Sequence, residues 1–173
     1  MIRRLLPLLI LLGVLLVAAA GLRRDPAVIP STLVGSKAPV LRAPLLQDGG
    51  TAQTAALQAL LPRGKPSLLN VWASWCTACL QEHAALQRLA AAGVTIFGLN
   101  YKDTDAAATA WLRERHNPYR AVFVDPQGTV GRDWGVYGVP ETFVIDGQGV
   151  VRQRIVGPID EHALSRQLAK LSR

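Results

Sequence analysis

Cysteine is almost missing from this chain. It occurs twice in 173 residues, both times inside the pentapeptide Trp75-Cys76-Thr77-Ala78-Cys79. With no third cysteine, each can pair within the chain only with the other, and a four-thiolate zinc site, which needs a second Cys-x-x-Cys, is ruled out. Histidine is nearly as scarce. His83 follows Cys79 by four residues and could share a helical face with it, whereas His116 and His162 lie in unrelated segments. Lysine and arginine outnumber aspartate and glutamate by 19 to 12, yet no basic run is longer than two. The concentrated, aromatic-interleaved basic footprint of a nucleic-acid binder is therefore absent. The excess charge reads as a solvated surface that can sit beside anionic lipid. Three phenylalanines in a sequence that is 50% hydrophobic point to an aliphatic core. No internal repeat occurs, and no low-complexity block beyond a Leu- and Ala-rich start.

That start is the one long apolar run. After Arg3-Arg4, residues 5 to 22 are apolar, with Pro7 and Gly13 the interruptions before the closing Ala18-Ala19-Ala20-Gly21-Leu22. As a helix, eighteen residues at about 1.5 Å each reach roughly 27 Å, enough to cross a bilayer core. A signal peptide cut near Ala18-Ala19-Ala20-Gly21 is the competing reading, but the length favours a retained anchor over residues 1–22. Arginine pairs flank both ends, so the positive-inside rule discriminates poorly. Asp25 and the short N-terminal tail favour N-inside, with the bulk of the chain exported. Residues 23–39 carry Pro26, Pro30 and Pro39 without periodicity and read as a tether that later docks at the domain edge. Residues 40–173 suit one domain.

Within that domain, apolar strands alternate with helical patterns. Val40 to Leu46 is an expected strand and Thr54 to Leu61 a short helix. Ser67 to Ala73 is a strand buried on both faces. From Cys76 the spacing turns helical, with Leu80, Ala84, Leu86 and Leu89 recurring up to Gly93. Val94 to Leu99 is the next strand. Asp103-Thr104-Asp105 can cap a helix over 106–115 that carries Trp111 and Leu112. Ala121 to Val124 is a strand closed by the turn Asp125-Pro126-Gln127-Gly128, and Thr129 to Trp134 is one helical turn. Glu141 to Ile145 and Val150 to Val156 flank Asp146-Gly147-Gln148-Gly149, a hairpin signal. Asp160 caps a last helix through Leu171. Trp72 and Trp111 read as core; Trp134 is open.

Cys76 thus stands at a helix start, where unpaired N–H groups and the positive end of the helix dipole favour a thiolate. Cys79, one turn further in, should be more covered. The division of labour that follows is attack on a foreign disulfide by Cys76 and resolution of the mixed disulfide by Cys79. Two other readings stay open. A static disulfide closing so short a loop would stabilise little, and a metal site would lack ligands. A second constellation, Gly135-Val136-Tyr137-Gly138-Val139-Pro140-Glu141-Thr142-Phe143-Val144-Ile145-Asp146, leads from a glycine-punctuated loop into a strand. A proline just ahead of a strand is tolerated. Were Val139-Pro140 cis, the backbone of Val139 would be free to pair with an extended substrate. Trp75 reads as an apolar lid beside the cysteines and Tyr137 as substrate-facing.

Trp-Cys-x-x-Cys after a buried strand, followed some sixty residues later by Val-Pro before another strand, resembles the thioredoxin superfamily. Asn100-Tyr101-Lys102-Asp103, Trp111-Leu112, Asn117-Pro118-Tyr119, the Gly135–Asp146 string, Gly157-Pro158 and Glu82-His83 narrow the resemblance to the cytochrome-c-maturation thiol:disulfide proteins, the DsbE/CcmG group. It covers essentially the whole chain. It implies an α/β fold, a thioredoxin-like mixed sheet flanked by helices, with an N-terminal strand extension and an insertion near Tyr101 to Arg115, preceded by one transmembrane helix. It also implies a cis Pro140. Thioredoxin carries a buried aspartate where this chain has Asn70, which cannot take up a proton, so Glu82 is the natural replacement. Glu141 is a second carboxylate that the resemblance brings near the disulfide. Their expected roles are proton exchange with Cys79 and adjustment of thiol pKa. Relatives commonly have proline between the cysteines where this chain has Thr77-Ala78, so their reduction potential does not carry over.

The resulting expectation is a protein-disulfide reductase on the periplasmic side of a bacterial inner membrane, held by a single pass. It would act on apocytochrome c haem-binding cysteines or on a partner thiol protein. A membrane thiol reductase of the DsbD or CcdA type would recharge it, since an oxidising compartment drains idle dithiols. No cofactor and no metal are expected. The alternatives are a general periplasmic disulfide oxidant, a thioredoxin-like metallochaperone, and an exported binding module with an inert disulfide.

Overall fold

A computed structural model describes residues 31–47 and 53–171, together with the helical positions Leu11 and Gly13. Apart from those two positions, the expected anchor at 1–22 lies outside the described residues, as do residues 23–30 of the tether. Among the described residues, no helix is long and apolar enough to cross a membrane.

Strands β1 (Arg42–Pro44) and β2 (Thr54–Ala56) pair antiparallel, Ala43 opposite Ala55. The short helix α1 (Leu57–Leu60) follows directly. Here the expected helix over 54–61 is half wrong. Its first three residues extend to pair with β1, and helix begins only where Leu57 turns inward and donates its N–H to the Leu41 carbonyl. The expected strand at 40–46 is likewise trimmed to three residues. A single bridge, Leu45 to Phe123, continues it towards the main sheet.

That sheet runs in the order β5-β4-β3-β6-β7. Strand β3 (Ser67–Trp72) is central and buried at all six positions, which accounts for its mostly apolar character, with only Ser67 and Asn70 polar. It pairs in parallel with β4 (Thr95–Tyr101), and β4 pairs in parallel with β5 (Ala121–Asp125). The two crossovers are α2 (Thr77–Ala91) and α3 (Asp105–Arg115). After the short helix α4 (Thr129–Asp133), β6 (Glu141–Ile145) returns antiparallel to β3, and β7 (Val151–Val156) completes the hairpin. Helix α5 (Glu161–Leu171) closes the chain, its start capped by Asp160, whose Oδ1 accepts the Ala163 N–H. Residues 35–38 lie along that hairpin, through Gly35 N–H to the Val151 carbonyl and Ala38 N–H to the Gly149 carbonyl.

Alternation along β3 divides the core. Leu68 and Trp72 face one layer, with α2, α3 and α5; Leu69 and Val71 face the other, with β1, α1 and Trp134. Trp72, Trp111 and Trp134 are all buried. The buried face of α2 is Cys79, Glu82, His83, Ala85, Leu86 and Leu89. Leu80, expected to point inward, is 48% exposed. Packing Cys79 against the sheet also turns positions three and four residues on inward, and those are Glu82 and His83. The apolar period placed Leu86 and Leu89 correctly and put Leu80 and Ala84, both exposed, on the wrong side.

Topology gathers the candidate residues at one end of the sheet. Glu141, the first residue of β6, lies opposite Val71, near the end of β3. Pro140 therefore sits at the end of the sheet from which the cysteine loop emerges. The loop after β4, which runs parallel to β3, opens at this end too. Carboxyl ends of parallel strands are where α/β sheets place their sites.

Candidate active site

Cys76 is the N-cap of α2, its backbone extended (φ −89°, ψ 108°) and its N–H bonded to the Ala73 carbonyl at 3.2 Å. The Cys79 N–H donates to Cys76 Sγ at 3.0 Å. A cap position leaves the first-turn amides without backbone partners, so a sulfur placed there takes one of them as its donor. The sulfurs are joined in a disulfide, Cα to Cα 5.3 Å. Both cysteines are buried, Cys79 slightly more. Beside them Trp75 is 59% and Tyr137 51% exposed.

The loop ahead of Cys76 is held from the β4–α3 connection. Asp103 accepts from the Ser74 N–H (2.6 Å), the Ser74 hydroxyl (2.9 Å), Asn100 Nδ2 (3.0 Å) and the Thr104 N–H (2.8 Å). Burial alone would raise its pKa, but these donors together hold it below the ordinary carboxylate value, so it stays charged. Trp75 Nε1 donates to the Lys102 carbonyl at 3.0 Å, and Lys102 adopts a left-handed backbone, φ 50°. Sequence reasoning used Asp103 only as part of a resemblance and as a helix-cap candidate; the cap is Thr104, whose Oγ1 accepts the Ala107 N–H. Nothing local marks Asp103 as a clamp on the cysteine loop, because Ser74 lies 29 residues away.

The Val139-Pro140 bond is cis. Val139 is partly buried and packs against the cluster containing both cysteines. The Pro140 carbonyl accepts from the Gly157 N–H at 2.9 Å. Glu141 is fully buried, and its Oε1 takes the N–H groups of Tyr137 and Gly138, each at 3.2 Å. Its Oε2 pairs with Arg154, Nε at 2.9 Å and Nη2 at 2.7 Å. The same guanidinium lies over the Tyr137 ring, 4.3 Å from its centre. Glu141 thus ties the cis-proline loop to β7, through an arginine the sequence had not singled out.

Glu82 is buried without an ionic partner among the described residues. Oε1 accepts from Asn70 Nδ2 at 2.8 Å and Oε2 from the Ile159 N–H at 3.1 Å. Desolvation outweighs these two donors and raises its pKa from 4.5 to about 7. A carboxyl poised there can take or give a proton near neutrality. On helical spacing it lies one turn beyond Cys79. His83 points elsewhere: its Nε2 lies 2.9 Å from the Arg115 carbonyl and 3.1 Å from that of His116, and its ring meets Trp111 edge-on. Among the described residues, no three His, Cys, Asp or Glu side chains gather so as to hold a metal.

A disulfide capping a helix at the carboxyl end of the parallel strands of a mixed sheet, with a cis-proline loop packed against its cluster through Val139, defines a thiol:disulfide oxidoreductase of thioredoxin-like fold. The Redoxin family model matches residues 33–171. The chain is 48% identical to the thiol:disulfide interchange protein DsbE of Pseudomonas aeruginosa over 168 residues, 95% of this chain and 91% of that one. It is 40% identical to DsbE of Escherichia coli strain K12, over 96% and 91% of the two chains. A solved structure of a putative DsbE from Chlorobium tepidum superposes with a TM-score of 0.68 at 28% identity, covering 79% of this chain and 96% of that one. This chain belongs to the redoxin family and, within it, to the DsbE thiol:disulfide interchange proteins.

Proposed function

We propose that this protein is a membrane-tethered periplasmic reductant serving cytochrome c maturation, with residues 1–22 as its anchor, 23–39 as its tether and 40–173 as its catalytic domain. The observation that carries the chemistry is the Cys79 N–H at 3.0 Å from Cys76 Sγ at the start of α2, an arrangement that favours negative charge on that sulfur once the disulfide is reduced. Cys76 thiolate attacks one sulfur of a substrate disulfide and expels the other as a thiolate, forming a mixed disulfide. Cys79 passes its proton to Glu82 and attacks Cys76, releasing the second substrate thiolate. Two electrons leave the protein, which is left with the Cys76–Cys79 bond. Trp75, Tyr137 and the Val139-Pro140 backbone form the docking surface for the extended substrate, and Glu141 shapes that loop. The substrate is the cysteine pair of an apocytochrome c haem-binding motif or a partner thiol protein holding it. Electrons return from a membrane thiol reductase of the DsbD or CcdA type.

Trapping tests this. Cys79→Ser should stall a mixed disulfide through Cys76, and mass spectrometry of the adduct should name a cytochrome-maturation component. Adducts with unrelated exported proteins alone would refute the pathway assignment while leaving the exchange chemistry intact.

A further inference from the structure

One buried polar cluster has a member that the exchange chemistry does not use. The Tyr119 hydroxyl, on the segment leading into β5, donates to Asn70 Oδ1 at 2.8 Å. The same amide donates through Nδ2 to Glu82 Oε1 at 2.8 Å and to Thr142 Oγ1 at 2.9 Å. Asn70 and Thr142 are fully buried and Tyr119 is 7% exposed. An amide flanked in this way has one good orientation. Its oxygen must face the hydroxyl donor so that its nitrogen faces the carboxylate.

Resting on the reading of Glu82 as the proton acceptor for Cys79, we infer that Tyr119 is a positioning residue that sets the proton affinity of Glu82 by locking the Asn70 amide. With the nitrogen aimed at Oε1, the amide stabilises the charged carboxylate. If it turned over, its oxygen would meet Oε1 and favour the protonated acid. Tyr119 opposes that turn because it would take away the amide oxygen that the buried hydroxyl proton now bonds. The phenol keeps its proton, since burial and the negative charge of Glu82 both push its own pKa well above the ordinary value. Its ring stacks on Trp72, centres 5.7 Å apart, so the hydroxyl is held in place.

Among the described residues, little else charged reaches Glu82. From α2 its neighbours are Cys79, in the disulfide, and His83, which is bound to the Arg115 and His116 carbonyls. From the segment before α5 only the Ile159 N–H touches it; Asp160 caps α5 and Glu161 pairs with Arg88 at 2.7 Å. From β6 the neighbour is Thr142, acting through Asn70.

The test is a carboxyl carbon NMR titration of Glu82 in the oxidised full chain, where neither cysteine titrates. Tyr119→Phe, which keeps the ring, should raise the Glu82 midpoint by about one pH unit, the equivalent of one charge-assisted hydrogen bond. Asn70→Ala should raise it similarly, and the double variant should move it no further than Asn70→Ala alone. A purely structural role for Tyr119 would lower stability and leave the midpoint unmoved. That result overturns the inference, as do two shifts that add. Should Tyr119→Phe fail to fold, an unmoved midpoint in Asn70→Ala overturns it instead, because the amide through which Tyr119 acts would then not set the proton affinity of Glu82. Failure of the underlying reading looks different: Glu82→Gln would leave the pH dependence of the resolving step unchanged, whatever the NMR midpoint does.

Discussion

Replacing Glu82 with glutamine should change how stability depends on pH. Glu82 titrates at about 7 in the folded protein, against 4.5 for the ordinary group. An acid whose folded pKa lies above its unfolded one binds its proton more tightly in the native state. Its contribution is complete below about pH 4.5 and is lost as pH rises through 7. This is opposite to the usual ion-paired carboxylate. At about 1.4 kcal/mol per pH unit, the rise amounts to about 3 kcal/mol. Glutamine carries no titrating proton and keeps the shape. Whatever fixed offset it introduces against the Asn70 and Ile159 donors, that offset is the same at every pH. Urea denaturation of the disulfide-bonded wild type and of Glu82→Gln, from pH 4 to 8.5, gives the difference in stability. That difference should shift by about 3 kcal/mol in favour of the variant, with its slope between pH 4.5 and 7. Other titrating groups cancel because both proteins share them. A flat difference across that range would show that Glu82 is not desolvated in the folded state, and the proton-exchange role would lose its physical basis.

Two further substitutions probe the loops around the disulfide. Arg154→Ala leaves Glu141 fully buried and without its counter-ion, so it should cost about 3–5 kcal/mol in denaturation experiments. A loss under about 1 kcal/mol would mean that water replaces the guanidinium. Asp103→Ala removes four hydrogen bonds at the base of the cysteine loop. Trp75 should then show lower fluorescence anisotropy and Cys76 slower alkylation, while global stability falls by only about 1–2 kcal/mol because the clamp is partly exposed. Unchanged Trp75 anisotropy would show that the Asp103 contacts do not order the loop.

The sequence carried a great deal about the fold because its signals were local. The mostly apolar Ser67–Trp72 run, the Asp125-Pro126-Gln127-Gly128 turn and the Asp146–Gly149 hairpin each came from residues adjacent in the chain, and each is found where expected. Thr54–Ala56 failed because pairing with Arg42–Pro44, fourteen residues apart at their outer ends, overrode a helical pattern only four residues longer than the helix actually formed. The first turns of the inward face of α2 failed for a similar reason, although Leu86 and Leu89 are buried as expected. Leu80 looked like core, but the cysteine's orientation towards the sheet placed a glutamate and a histidine inside instead.

Cys76 at the start of a helix, with Cys79 one turn on, was determined by the sequence itself: spacing, cap position and the absence of any other thiol depend only on neighbours along the chain. Tertiary structure alone decided the surroundings of each site carboxylate. Asn70 meets Glu82 across twelve residues and Tyr119 meets Asn70 across 49, while Arg154 reaches back thirteen to Glu141. A proton affinity is set by desolvation and by donors within about 3 Å. Those distances exist only after the sheet has brought β3, β6, β7 and the segment before β5 together.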